Sequence, residues 1–94
     1  MLDDLKVLKI TRFQNGTALA GVNFSLGPVV VRGAKIFAKD GRRWLSMPGR
    51  IDQNGEWGDL VYFLDKNSRA LAESAILREF DAYEAASAQT AEAQ

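Results

Sequence analysis

From residue 18 to residue 26 the chain alternates with a period of two. Ala18, Ala20, Val22, Phe24 and Leu26 fall on one side, with Gly21, Asn23 and Ser25 between them. Successive strand residues face opposite ways, so this stretch predicts a strand with one core face. Residues 5–13 (LKVLKITRF) mix β-branched and apolar side chains with Lys6, Lys9 and Arg12, which predicts a strand with one wet face. Asn15-Gly16 joins the two; Asn-Gly readily takes the paired positive φ angles of a type I′ turn, so a hairpin is expected. Gly27-Pro28 ends the second strand, because proline removes a ladder donor and glycine permits the turn. Val29, Val30 and Val31 open a third strand, and their unbroken apolar run predicts burial on both sides there. The strand continues through Ile36 and Phe37, with Gly33 marking a bulge or a close backbone approach. Asp40-Gly41 repeats the hairpin chemistry. Trp44, Leu45 and Met47 form a fourth strand that Pro48-Gly49 stops. Asn54-Gly55 turns the chain again, and residues 60–64 (LVYFL) read as a short fifth strand.

The spacing changes after residue 64. Ala72, Ile76, Phe80 and Tyr83 recur at intervals of four, four and three, which sets them on one stripe of a helix facing the sheet. Asn67 or Ser68 is the expected cap, its side-chain oxygen accepting from amides of the first turn. Leu71 and Leu77 lie off that stripe and widen the apolar coverage. No helix-length segment separates the strands, so the fold class is α+β: an antiparallel β-meander of about five strands with a C-terminal helix packed on one face. One domain covers residues 1–84. Residues 85–94, polar and alanine-rich, are expected to be a frayed tail or a helical extension.

Composition narrows the chemistry. The 94 residues include no cysteine and no histidine. That excludes disulfides, thiolate chemistry, Cys–His catalysis, a Ser–His–Asp triad and most zinc sites. There is no apolar run of membrane-spanning length, and the acidic, lysine-interrupted start MLDDLKVLK is unlike a signal peptide, so cytoplasmic residence is the expectation. A chain this short buries only ~60–65% of its unfolded surface, and a second copy would add to a thin margin. The net charge is zero but divided: residues 1–50 carry nine Lys/Arg against three Asp/Glu, and residues 51–94 the reverse, three against nine. Such a division suits an anionic partner for the first half or self-association of unlike faces.

Within the basic half, Lys39, Arg42, Arg43 and Arg50 cluster about two turns with Trp44 adjacent. Several cations on one surface bind phosphates, and an exposed indole stacks on an unpaired base. In a strand Arg43 and Trp44 point to opposite faces, so the alternatives are an edge that presents both, or a Trp44 that fills the core between solubilising arginines. Arg50 follows Pro48-Gly49 and reaches either a phosphate or a nearby carboxylate. Arg69 opposes the dipole of the helix start, which calls for a specific anionic partner. Lys6, Lys9 and Arg12 read as charges that guard an exposed strand against aggregation. Asp52, Glu56 and Asp59 form the densest carboxylate group. They fall in a wet Asn/Gly turn where nothing separates their pKa values, and they lack the ligand order of a calcium loop. No phosphate-binding loop and no dinucleotide fingerprint is present.

The run KIFAKDGRRWLSMPGR, followed by DQNGEWGDLVYFL and by NSRALAESAILREFDAY, resembles the SpoVG family, bacterial proteins named for sporulation and septation. Gly41, Met47, Pro48, Arg50, Gly55, Asp59, Ser68 and Arg69 match that family's spacing over residues 20–83. Tyr62 and Phe63 stand where a His-Pro pair is usual, and Gly49 where serine is usual. The helix end, with Glu79, Asp81 and Glu84, is more acidic than in DNA-binding members. The resemblance implies a homodimer whose sheets join across subunits, and site-selective binding of DNA or RNA. The expected function is therefore non-catalytic, regulatory nucleic-acid binding without a cofactor. Arg42, Arg43 and Arg50 would engage phosphates, with Arg69, Lys39 and Trp44 in support. The alternative is a module that docks a protein partner through its apolar C-terminal helix.

Overall fold

The structure is a computed structural model that describes residues 3–14 and 16–92. Four strands, β1 (Leu5–Arg12), β2 (Ala18–Leu26), β3 (Val29–Lys39) and β4 (Arg42–Ser46), form one antiparallel sheet in chain order. A separate hairpin pairs β5 (Gly49–Ile51) with β6 (Trp57–Asp59), and a helix, α1 (Lys66–Glu92), follows. The architecture is thus α+β, an antiparallel meander with a C-terminal helix on one face. The alternation of residues 18–26 places Ala20, Val22 and Phe24 in the core, where they meet Val31, Ala34, Ile36, Leu45 and Met47 of the neighbouring strands and the Ile76 and Phe80 of α1. Ala72 is buried beside them and Tyr83 packs at the margin, so the four-four-three stripe is the buried one.

The turns set the register. Asp40 and Gly41 have φ of 55° and 79°, the paired left-handed conformation of a two-residue hairpin, and Lys39 pairs with Arg42, Phe37 with Trp44 and Lys35 with Ser46. Asn15 lies outside the described residues; Gly16 beside it has φ of 82°. Gly33, at φ 89°, sits where the β2–β3 register shifts between Val22 and Phe24. Its amide donates to Asn23 Oδ1 at 3.2 Å, so it forms the expected bulge.

Three expectations are corrected. Val29 and Val30 are not buried on both sides; both are more than half exposed, because Val30 points to the face that α1 leaves uncovered, and Val29, although on the same side as Val31, is the first residue of β3 and lies outside the buried cluster. Residues 60–64 are not a fifth strand. Pro48 cannot donate to a continuing ladder, and the chain folds β5 onto β6 instead. The amides of Leu60 and Val61 then both donate to the Pro48 carbonyl, at 2.8 and 3.4 Å, and the segment passes over the surface. The helix cap is Asp65, two to three residues earlier than expected. Its carboxylate accepts from the Ser68 amide and from the Ser68 hydroxyl, both at 2.8 Å, so Ser68 is the third residue inside the helix. Beyond residue 84 the helix continues to Glu92.

Side chains tie α1 to both margins of the sheet. Arg12 of β1 places its Nε 3.3 Å from Glu84 Oε1, lies over the Phe80 ring, and donates through Nη1 to the Leu19 carbonyl at 2.8 Å. At the opposite margin, Leu45 of β4 turns both of its backbone polar groups towards the helix. Its amide donates to Glu73 Oε2 at 2.9 Å, and its carbonyl accepts from Arg69 Nη2 at 2.6 Å. Residues 69 and 73 are one helical turn apart, so a single face of α1 closes this point of the edge strand.

Candidate nucleic-acid interface

The meander has two faces, and they divide the six predicted contact residues. Leu45 and Ile36 are buried under α1, so Arg43, on the same side of β4 as Leu45, points to the helix. Its Nη1 and Nη2 donate to Asp81 Oδ1 and Oδ2 at 2.6 and 3.2 Å, a two-pronged pair. These hydrogen bonds raise the guanidinium's pKa and hold the Asp81 carboxyl below its ordinary value. Arg69 is also engaged, by the Leu45 carbonyl; the anionic partner that its helix position called for is a backbone dipole of the protein itself. Arg50 is exposed on the β5–β6 hairpin, opposite Gly58, and stands apart from the sheet. The four arginines therefore do not make one surface.

Lys39, Arg42 and Trp44 do come together, on the face away from the helix. Cross-strand pairing adds two residues that the sequence reading passed over, Phe37 opposite Trp44 and Lys35 opposite Ser46. Trp44 neither fills the core nor stands alone. It is 37% exposed, and its ring lies nearly parallel to Phe37, with centroids 5.8 Å apart and an angle of 11°. A stack of this kind contributes about 0.5–1.5 kcal/mol beyond burial and holds the indole in one orientation. Among the described residues, Lys35, Lys39, Arg42 and Arg50 have no ion pair or side-chain hydrogen bond.

In front of the stack is a cleft of about 690 Å³ whose walls include Gly33, Lys35, Phe37, Trp44, Pro48 and Trp57. Trp57 comes from β6 and was not among the predicted residues. Its indole Nε1–H donates to Asp59 Oδ1 at 2.9 Å, and its ring lies against Gly49. A Cβ at Gly49 would fall 2.7 and 2.9 Å from Trp57 Cζ2 and Cε2, and against the Gly58 carbonyl oxygen. Glycine at 49 is thus what lets the second tryptophan close over the cleft.

The carboxylates of the 52–59 loop have structural work. Asp52 Oδ1 accepts from the amides of Asn54 and Glu56 at 2.8 and 3.0 Å, shaping the turn, and Asp59 holds Trp57. Among the described residues no group of three or more His, Cys, Asp or Glu is placed to hold a metal ion, and no helix is long and apolar enough to cross a membrane.

The signal for Phe37 and Lys35 was present in the sequence. A two-residue turn at 40–41 forces 39 against 42, and counting outward puts 37 against 44 and 35 against 46. Trp57 carried no such signal, since it reaches the cleft through a hairpin whose position depends on tertiary packing. No protein-family model matches the chain, and neither does any curated protein sequence.

Proposed function

We propose that the protein is a non-catalytic nucleic-acid-binding regulator that contacts DNA or RNA through the helix-free face of its sheet. The observation that carries this reading is the grouping of Lys35, Lys39 and Arg42, none spent on an internal carboxylate, beside an exposed and rigidly stacked tryptophan. Unpaired cations supply phosphate affinity through counterion release, and the aromatic face supplies contact to bases. The likeness of residues 20–83 to the SpoVG pattern points the same way. In this reading Arg43 and Arg69 hold the fold, Arg50 makes a peripheral contact, and the protein acts in the cytoplasm.

The same reading makes the protein a homodimer. Leu60, Val61, Tyr62 and Leu64 form a run of exposed large apolar side chains, with Leu64 at 95%. Contiguous exposed apolar side chains on a small domain mark interaction surfaces. This surface is a better protein-docking site than α1, since Leu77 packs against the core and only Leu71 of the two flanking leucines is exposed.

Fluorescence anisotropy against single- and double-stranded DNA and RNA, titrated with salt, tests the function. The expected result is binding whose log K falls with log salt at a slope of about −2 to −3 for three neutralised phosphates. Charge reversal by Arg42→Glu should weaken it strongly, and Arg50→Gln only slightly. Absence of binding to all four nucleic acids at low salt would refute the proposal.

A further inference from the structure

Three hollows lie side by side on the helix-free face. The first is bordered by Lys9, Phe13, Gly21 and Asn23 and shares Gly33 and Lys35 with the cleft. The cleft in turn shares Trp44 with a third hollow bordered by Lys39, Asp40 and Arg42. Together they form a continuous track across the strands. It carries a cation at each station (Lys9, Lys35, Lys39 with Arg42), and among the described residues Asp40 is the one acidic residue in its lining. Between the cations the walls are largely apolar, and the Phe37–Trp44 stack and Trp57 both contribute to them.

We infer that this track binds single-stranded nucleic acid, with an unpaired base inserted in the cleft between Trp44 and Trp57 and the adjoining phosphates at Lys35, Lys39 and Arg42. The inference rests on the nucleic-acid reading above and narrows its ligand. Charge complementarity selects a polyanion, because the cations are spaced along a path instead of converging on one point. The aromatic walls select a planar group. A base in a duplex has both of its faces stacked and cannot offer one to a tryptophan, whereas a base in a single strand can. The cleft is in the volume range of small-ligand sites, and Lys35 and Ser46 are the charged and hydroxyl side chains among its otherwise mostly apolar walls, so it grips a ring by its faces more than by hydrogen bonds to its edge. Recognition is accordingly tolerant of base identity.

The chain has two tryptophans, Trp44 and Trp57, and both line this cleft, so emission excited at the red edge, where tyrosine does not absorb, reports on it. The test titrates the full chain with a short oligothymidine, a short oligouridine and a duplex of equal length, following emission and anisotropy together. The expected result is saturable quenching by both single strands and little quenching by the duplex. Trp44→Ala should weaken single-strand binding by about five- to a hundredfold while leaving duplex binding nearly unchanged. Lys35→Gln, which leaves both rings in place, should reduce affinity and salt dependence but preserve the quenching at saturation. Duplex and single strands binding equally, without a change in emission, would overturn the single-strand assignment and leave the nucleic-acid reading standing. No anisotropy change with any of the three would overturn both. Emission that shifts with protein concentration alone, and is then insensitive to oligonucleotide, would show that a second copy fills the cleft and would also overturn the assignment.

Discussion

At Gly49 one missing methyl group decides where an indole sits. The residue's φ is ordinary, so the requirement is space: the Trp57 ring and the Gly58 carbonyl occupy the volume a side chain would need. Gly49→Ala should cost about 1–3 kcal/mol, the range for forcing an added methyl into a packed contact, and should swing Trp57 off the cleft. A denaturation curve measures the first effect and a red-shifted, more quenchable emission the second. Gly41 has no such neighbour and is required for its φ of 79° instead. The two glycines differ in what could be read in advance. Asp-Gly announces a turn from local chemistry alone, whereas the need for glycine at 49 arises from Trp57, eight positions away in the chain and across a second hairpin. Arg43 and Arg69 differ from Arg42 in the same way. Their residue type advertised phosphate contacts, but Asp81 and the Leu45 carbonyl, remote in sequence, already engage them.

At the scale of the element, local periodicity located β2 to the residue and the buried stripe of α1, because both patterns arise from burial on one face. It failed at residues 60–64, where an apolar, aromatic run resembles a strand but has no partner strand to pair with. It also misplaced the helix start, because Asp65, Asn67 and Ser68 are all competent caps and the geometry of the preceding loop selects among them. Asp65 now carries a testable consequence. The backbone and hydroxyl hydrogen bonds from Ser68 hold its carboxyl below the ordinary value of 3.8, and Arg43 does the same for Asp81. A carboxyl depressed in the folded state stabilises the fold fully above its unfolded pKa and ceases to do so as pH falls through the folded one. Thermal stability should therefore show no contribution from these groups to its pH dependence near neutrality, and should decline below 3.8. Asp65→Ala should lower Tm by a few degrees at neutral pH, with the deficit shrinking as acid protonates the parent's cap. Circular dichroism melts at several pH values would check both statements. A deficit that is constant with pH would mean that Asp65 does not cap as an anion.

At the scale of the whole molecule, the opposed charges of the two halves turn out to be partly consumed where they meet. Asp81 and Glu84 of α1 pair with Arg43 and Arg12, and Glu73 accepts from the Leu45 amide, so three acidic residues of the second half are engaged on one face of the basic first half. Among the cations of the first half that stay unpaired, Lys9, Lys35, Lys39 and Arg42 lie on the other face, which α1 does not cover. The charge imbalance was legible in the sequence as a total, but which cations would remain available depended on which face the helix chose. Leu45 offers a way to watch that choice being made. Its amide is shielded by the Glu73 carboxylate and not by a neighbouring strand, unlike the ladder amides of the same sheet. Its rate of hydrogen–deuterium exchange should therefore follow detachment of the helix, while the β2–β3 amides follow unfolding of the meander. In Glu73→Ala the Leu45 amide should exchange much faster with the β2–β3 amides little affected, as residue-resolved exchange NMR would show. One backbone proton would then serve as a clock for how often the two layers of this protein part company.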